Sequence, residues 1–349
     1  MKKRKCLASI LFAFATIAMV GCGGCSKGLD EASGSSGKDT DLFNVVSEES
    51  TTTELESKEL DIYLIGGQSN AAGSTEHKYA LNGEFKNVGY AGQVNKSYLS
   101  GSAWVDNISS FKRYKWKVTV GHGEMATRMG PEYGMAEILN DYYNGEKKAF
   151  IFKSAAGATT LASPYGGDFG TWLPRSRWEK GYDPATTTTG IGYQYYTFVE
   201  NFAKVYQTLK ENGYTPKIKG MVWMQGENDL EVYQQYGNLL SAFISDIRAD
   251  LYKITGDEDV KTMPFVIGKV ATTFQSYENP LVPRFNHVQQ VVADNTENCE
   301  TIETADLIIV DADGSIKGSD MYHFNYNDMR TLGNRFAQKL LEMNGMSHS

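Results

Sequence analysis

The chain has 349 residues, 41% of them hydrophobic and 22% charged, which is ordinary for a globular protein with a substantial core. Its formal net charge is −8, and the basic residues at positions 2–5 make the remainder more acidic still. An acidic chain without a basic stripe argues against a nucleic-acid partner, because phosphate binding needs clustered lysine and arginine. It also argues against attachment to an anionic membrane through charge alone.

The N-terminus has the pattern of a targeting segment. Basic residues at 2–5 precede an apolar run at 7–20 that is too short to span a bilayer comfortably. Residues 19–22, Met-Val-Gly-Cys, resemble a lipobox, in which the cysteine is lipidated and becomes the new N-terminus. We therefore predict a lipoprotein signal peptide at 1–21 and a lipid anchor on Cys22, the chain's sole contact with a membrane.

The next segment, 22–58, is rich in Gly, Ser, Thr, Asp and Glu and predicts a flexible tether, because it has too little apolar surface to fold. One domain at 59–345 follows. It holds a single cysteine, Cys299, and therefore no internal disulfide. No cysteine pair has metal-ligand spacing apart from Cys22 and Cys25, which the lipobox explains better, so we expect neither metal nor cofactor.

The domain alternates between apolar runs and segments of helical periodicity. Strands covered on both faces are continuously apolar, as these runs are. The runs lie at 62–65, 149–152, 221–224, 264–267 and 307–310, and the helical segments at 135–142, 198–209, 232–251 and 332–340. This alternation predicts a doubly wound α/β sheet of about five parallel strands, with helices on both faces and ligands beyond the carboxyl ends of the strands.

Two stretches, 78–123 and 158–192, are long, poorly periodic and rich in glycine and aromatic residues. Loops of this length are usually functional or disordered. The second contains aromatic side chains that are candidates for a wall facing a sugar ring. A self-packed surface insertion is an equally good interpretation. These side chains are Tyr165, Trp172, Trp178 and Tyr182.

Ser69 follows the first predicted strand and two glycines, where a tight turn can present its hydroxyl above the sheet edge. Serine is a weak nucleophile unless a base removes its proton. By itself this serine, or Asn70, is better interpreted as a helix cap. The interpretation changes near the C-terminus, where Asp320 and His323 follow the fifth predicted strand. A carboxylate three residues from an imidazole can fix its tautomer and stabilise its charged form.

Polar residues also follow the second and third predicted strands. The side-chain amide of Gln225 and the backbone N–H groups around Gly157 are candidates to stabilise an oxyanion. Glu227 and Asp229 are alternatively a carboxylate pair for glycoside hydrolysis. That alternative leaves Ser69 and His323 unexplained.

These motifs resemble the SGNH hydrolases, specifically carbohydrate esterase family 6 and the sialate O-acetylesterase-like branch. The similarity covers 61–341 with the block order preserved, and Ala156-Gly157-Ala158-Thr159 departs from the Gly-Gly-Thr of many relatives. The matching blocks are Gly67-Gln68-Ser69-Asn70, Gly130-Pro131-Glu132-Tyr133-Gly134, Trp223-Met224-Gln225-Gly226-Glu227 and Asp320-Met321-Tyr322-His323.

The resemblance implies a flavodoxin-like sheet and ester hydrolysis without a metal. It assigns Ser69 as nucleophile, His323 as general base and acid, and Asp320 as the residue that orients the imidazole. It places Ser69, Gly157 and Gln225 in the oxyanion hole, and Gln68, Asn70 and Glu227 in supporting positions.

The expected function is removal of O-acetyl groups from a carbohydrate, by an exported serine esterase anchored to the bacterial cell envelope at the surface or the periplasmic face. Two alternatives stay open. One is a non-catalytic, glycan-binding lipoprotein on a hydrolase scaffold, since a fold does not prove an activity. The other is a carbohydrate O-acyltransferase, which would use the same triad.

Overall fold

The computed structural model describes residues 58–76, 84–94, 116–117, 123–124, 128–143, 147–162, 169–186, 190–271, 279–307 and 322–346. The predicted signal peptide with Cys22, the tether up to residue 57, Tyr165 and Asp320 lie outside the described residues. So does most of the predicted strand at 307–310, of which only Leu307 is described.

Six parallel strands form the main sheet. In chain order they are β1 (Lys58–Gly67), β2 (Val88–Val94), β3 (Lys148–Ala155), β4 (Tyr214–Met224), β5 (Phe265–Gly268) and β6 (Cys299–Ile302). Their spatial order is β6-β5-β4-β1-β3-β2. When the edge strand β2 is left out, the remaining five strands have the flavodoxin-like order, because β1 then lies between β3 and β4, the next two strands along the chain.

Each strand of the main sheet is followed in sequence by a helix. They are α1 (Ser69–Ala72), α2 (Glu132–Tyr142), α3 (Tyr193–Glu211), α4 (Tyr233–Thr255), α5 (Val282–Asp294) and α6 (Tyr326–Met343). Two short antiparallel pairs lie outside the main sheet: Thr75–Glu76 with Arg128–Met129, and Glu84–Phe85 with Trp116–Lys117. Among the described residues, no helix is both long and apolar enough to cross a bilayer.

Alternate residues of β1 enter two separate cores, because side chains of a strand point to opposite faces. Ile62 and Leu64 are buried with Phe198 of α3 and Phe243 of α4 on one face. Tyr63 and Ile65 are buried on the other face, with side chains of α2 and α6. Helices therefore cover both faces of the sheet, and the predicted fold class is confirmed.

The helical segments predicted around 135–142, 198–209, 232–251 and 332–340 correspond to α2, α3, α4 and α6. Strands β2 and β6 and helix α5 were not predicted. The last predicted strand is not matched in its described part, because Leu307 is buried but lies outside any strand.

Candidate active site

Three neighbouring strands end at the same level. Gly67 at the end of β1 is the register partner of Ala155 in β3 and of Met224 in β4. The loops that follow these strands start side by side, and they bring Ser69 and Gly157 to one edge of the sheet. This edge lies where the chain crosses from one side of β1 to the other, the position at which parallel sheets bind ligands.

The turn from β1 into α1 depends on a glycine. Gly67 has a φ of 139°, and a Cβ at this position would lie 2.1 Å from the carbonyl oxygen of Met224. The N–H of Gln68 donates to that same oxygen over 3.0 Å, so the two backbones are in direct contact. Helix α1 then begins at Ser69, a residue that is 8% exposed. Because no side chain caps this helix, the capping interpretation of Ser69 is not supported.

The amide of Gln225 links the loops behind the turn. Its Nε2 donates to Gln68 Oε1 at 3.1 Å, to the carbonyl of Thr159 at 3.3 Å and to Asp229 Oδ2 at 2.7 Å. The side chain is fully buried. Two amide hydrogens thus face three acceptors, and an oxyanion contact from Gln225 would require one of these bonds to be released.

Asp229 braces the loop that follows β3. Besides Gln225, it accepts hydrogen bonds from the N–H groups of Leu161, at 2.7 Å, and Ala162, at 3.1 Å. The residue is completely buried. A carboxylate enclosed in this way cannot reach a substrate, which argues against the glycosidase pair of Glu227 and Asp229.

Asn70 joins the serine turn to the loop that carries the histidine. Its Nδ2 donates to the carbonyl of Tyr322 over 2.9 Å and to Glu227 Oε1 over 2.7 Å, and the residue is fully buried. The neighbour of Ser69 is therefore bonded to the neighbour of His323, although the two lie 252 positions apart in the chain.

A second clamp holds the other side of His323. The hydroxyl of Thr75 donates to the carbonyl of Phe324 over 2.8 Å. Helix α6 begins immediately afterwards, with Asn325 Oδ1 accepting from the N–H of Asp328. The half-buried His323 thus lies between two anchored carbonyls at the start of a capped helix. Nothing in the sequence indicates the role of Thr75, since its contact joins distant segments.

Glu227 lies close enough to His323 for an electrostatic interaction. Burial raises the pKa of the Glu227 carboxyl, while the hydrogen bond from Asn70 and the charge of His323 act in the opposite direction. Its Oε2 is buried and has no hydrogen-bond partner among the described residues. This carboxylate is therefore placed to stabilise a charged imidazole. Asp320, the predicted partner of His323, lies outside the described residues and stays a prediction.

The predicted aromatic wall needs correction. Trp172 is completely buried and packs edge-on against Trp223 and Phe198, so it belongs to the core and offers no face to a ligand. Trp178 is half-buried, and it follows a short helix that is bonded to Asp246 of α4.

Trp178 packs edge-on against Tyr195, near the start of α3, and its role in a substrate wall stays a prediction. Gly157 is buried in the loop after β3, and its role in the oxyanion hole stays a prediction.

Comparison with known proteins places the chain in a family. The family model for carbohydrate esterases, sialic acid-specific acetylesterases, matches residues 59–342. No curated protein matches in sequence. The structure of a protein from Arabidopsis thaliana is similar with a TM-score of 0.53 and 16% identity over 81% of this chain and 98% of that one. The crystal structure of NanS is similar with a TM-score of 0.54 and 14% identity over 83% of this chain and 98% of that one.

Because their identities to the chain are only 16% and 14%, the two structures show a shared fold and no more. The family match, in contrast, covers nearly the whole described domain. The chain belongs to the sialic acid-specific acetylesterase family of carbohydrate esterases and is a carboxylic ester hydrolase.

Proposed function

We propose that the protein removes O-acetyl groups from a carbohydrate, with Ser69 as nucleophile, His323 as general base and Asp320 as the carboxylate that orients His323. The observation that carries the proposal is the amide of Asn70, which bonds the carbonyl of Tyr322 and so holds the serine turn against the histidine loop. A nucleophile and its base need this proximity before any pKa matters.

The proposed reaction has two steps. His323 takes the proton of the Ser69 hydroxyl as its oxygen attacks the acetyl carbonyl, and the imidazolium then protonates the departing sugar oxygen. Water, deprotonated by the same imidazole, attacks the acyl-enzyme and releases acetate. The N–H groups of Ser69 and Gly157 and the amide of Gln225 are the proposed oxyanion donors, each worth about 3 kcal/mol of barrier when preorganised.

Glu227 is proposed to support the charged imidazole in both steps. It is held by Asn70, and its electrostatic interaction with His323 favours the ion pair. Gln68 supports the site indirectly, because its Oε1 accepts hydrogen bonds from the amide of Gln225 and from the N–H of Gly226 at 3.2 Å. These residues set the geometry of the site without touching the reacting atoms.

The first test is Ser69→Ala, assayed with p-nitrophenyl acetate. We expect turnover to fall by at least about 10⁴-fold, because removal of a triad nucleophile costs this much or more. Circular dichroism should be unchanged. Ser241→Ala, on the exposed surface of α4, is the matched control and should retain full turnover. Wild-type turnover in Ser69→Ala would remove Ser69 from the mechanism.

Tyr322 is the described aromatic residue best placed to meet a sugar ring. The residue is 53% exposed, its backbone carbonyl accepts a hydrogen bond from Asn70, and it adjoins His323 in the chain. An exposed aromatic face suits the apolar face of a pyranose. We therefore propose that Tyr322, rather than the expected Trp172, contacts the glycan.

Tyr322→Ala should raise the KM for an acetylated glycan about five- to tenfold, the effect of losing about 1 kcal/mol of ring stacking. Turnover of p-nitrophenyl acetate should stay unchanged, and Tyr322→Trp should restore the KM. Ile191→Ala, also at an exposed apolar residue, is the control. Equal losses on both substrates would contradict a sugar contact.

Acetate release from acetylated xylan, O-acetylated sialic acid and O-acetylated peptidoglycan would identify the glycan. Acetyl appearing on a second sugar would indicate transfer.

We further propose that the protein is exported and anchored through a lipid on Cys22, with 1–21 as signal peptide, 22–58 as tether and 59–345 as the esterase domain. The proposal rests on the basic segment at 2–5, the short apolar run and the lipobox-like sequence before Cys22.

A further inference from the structure

A fully buried ion pair lies beneath the serine turn and has no part in the proposed chemistry. Lys153, in β3, places its Nζ 2.8 Å from Oε2 of Glu132, the first residue of α2. Both side chains are 0% exposed. Such a pair invites a functional question, because burying two charges is expensive and an apolar pair of similar size often gives equal or greater stability.

The contacts of the pair lead to the nucleophile helix. Lys153 Nζ also donates to the carbonyl of Ala72, the last residue of α1, over 2.9 Å. This places a cation at the carbonyl end of the helix, where the backbone dipoles favour it. Burial lowers the pKa of the Lys153 ammonium, and the nearby Glu132 carboxylate opposes that shift.

The other end of the pair holds the segment that packs under α1. Glu132 Oε1 accepts from the N–H of Gly130 over 2.9 Å. Gly130 lies so close to α1 that a Cβ there would be 3.0 Å from the carbonyl oxygen of Ala71 and 3.2 Å from the Cα of Gly73. The pair therefore ties strand β3, helix α2 and the end of α1 into one unit.

Helix α1 needs this support because it is only four residues long and has no side-chain cap. Its start is fixed by the contact of Gly67 and Gln68 with Met224, and its end by Lys153. Ser69 is the first residue of this short element, so a shift of its end moves the serine hydroxyl. A displacement of about 1 Å in a reacting group can cost on the order of 100-fold in rate.

We propose that Lys153 and Glu132 are positioning residues that fix α1, and thereby the Ser69 hydroxyl, at the distance from His323 that attack requires. This inference rests on the proposed function of Ser69 and His323. The pair neither touches substrate nor exchanges a proton with it.

The test is the double variant Lys153→Met with Glu132→Gln, which removes both charges and keeps an acceptor for the N–H of Gly130. We expect it to fold, and to lose about 10- to 100-fold in kcat for p-nitrophenyl acetate with little change in KM. The rate at which a fluorophosphonate probe labels Ser69 should fall by a similar factor. A merely structural pair would change the melting temperature but not the kcat of the folded enzyme. Lys261→Met with Glu258→Gln, an ion pair on the exposed surface, is the control.

A folded double variant with wild-type kcat and labelling rate overturns the inference. If the double variant does not fold, Lys153→Arg decides the matter, since it keeps the charge but moves the donor away from Ala72. Wild-type kcat in that variant also overturns it. Failure of the proposed function is distinct: the wild-type enzyme would then hydrolyse no ester, and Ser69 would not react with the probe.

Discussion

Glu227 and Asn70 show how single residues set the electrostatics of the site. The Nδ2 of the fully buried Asn70 donates to two acceptors, Glu227 Oε1 and the carbonyl of Tyr322. Glu227 in turn interacts electrostatically with His323, while its Oε2 stays buried without a hydrogen-bond partner among the described residues. Burying the Glu227 carboxylate in its charged form costs folding free energy, but its negative charge stabilises the imidazolium form of His323.

Glu227→Gln should therefore make stability depend less on pH. Burial raises the pKa of Glu227 above its ordinary 4.5, so its favourable contribution is full below that value and is lost as pH rises through the folded-state pKa. The variant cannot ionise, so its melting temperature should exceed that of the wild type near pH 7 and approach it near pH 4. Thermal unfolding at several pH values measures this. A difference in melting temperature that stays constant with pH would contradict the raised pKa of Glu227.

The same variant should also lower kcat about tenfold, because His323 loses its ionic partner.

Among the elements, the turn between β1 and α1 has little conformational freedom at Gly67. Gly67→Ala would place a methyl group 2.1 Å from the carbonyl oxygen of Met224, at a φ that only glycine adopts easily. We expect a loss of about 2–4 kcal/mol in the free energy of unfolding, measured by urea denaturation, and little esterase activity. Gly213→Ala, also at a positive φ but with open space around it, is the control and should lose only about 1 kcal/mol. Equal losses in the two variants would mean that backbone strain, not the contact with β4, dominates.

The elements also show what sequence patterns can and cannot reveal. Strands β1, β3, β4 and β5 were predicted because neighbours and helices cover them, which selects continuous apolar runs. Strands β2 and β6 lie at the two edges of the sheet, where one neighbour suffices. Such edge positions tolerate the glycines of Val88–Val94 and the charged residue of Cys299–Ile302. Neither strand therefore has the continuous apolar run by which the other strands were predicted.

The same distinction holds for the site. The rule that parallel strands bring their carboxyl ends together correctly grouped the loops of Ser69, Gly157 and Gln225. The burial of Trp172 was missed, because an irregular loop has no periodicity that separates inside from outside. The pairing of Lys153 with Glu132 was also missed, since a contact between residues of different elements leaves no local pattern in the chain.

At the scale of the whole molecule, every described residue belongs to one compact unit, Leu55–Ser349. The proposed anchor at Cys22 lies outside this unit, so membrane attachment and catalysis should be separable. The chain supplies its own control, because Cys25 stands three positions further on and outside the lipobox-like sequence.

Cys22→Ser should abolish incorporation of a fatty-acid label and move the protein from the detergent phase to the aqueous phase of Triton X-114. Turnover of p-nitrophenyl acetate should be unchanged, because the catalytic domain does not include this residue. Cys25→Ser should keep both the label and the detergent partition. Equal behaviour of the two variants, or an unlabelled wild-type protein, would refute the lipoprotein proposal.

The central position of β1 has a consequence for biosynthesis. This strand leaves the ribosome before either of its partners exists, since β3 and β4 are both encoded later in the chain. Until they arrive it has two unpaired edges, the feature by which strands of separate molecules aggregate. The sheet cannot close around β1 until synthesis has passed Met224, so productive folding depends on distant contacts and is expected to be slow. A nascent chain held unfolded by a chaperone until that point would avoid the hazard.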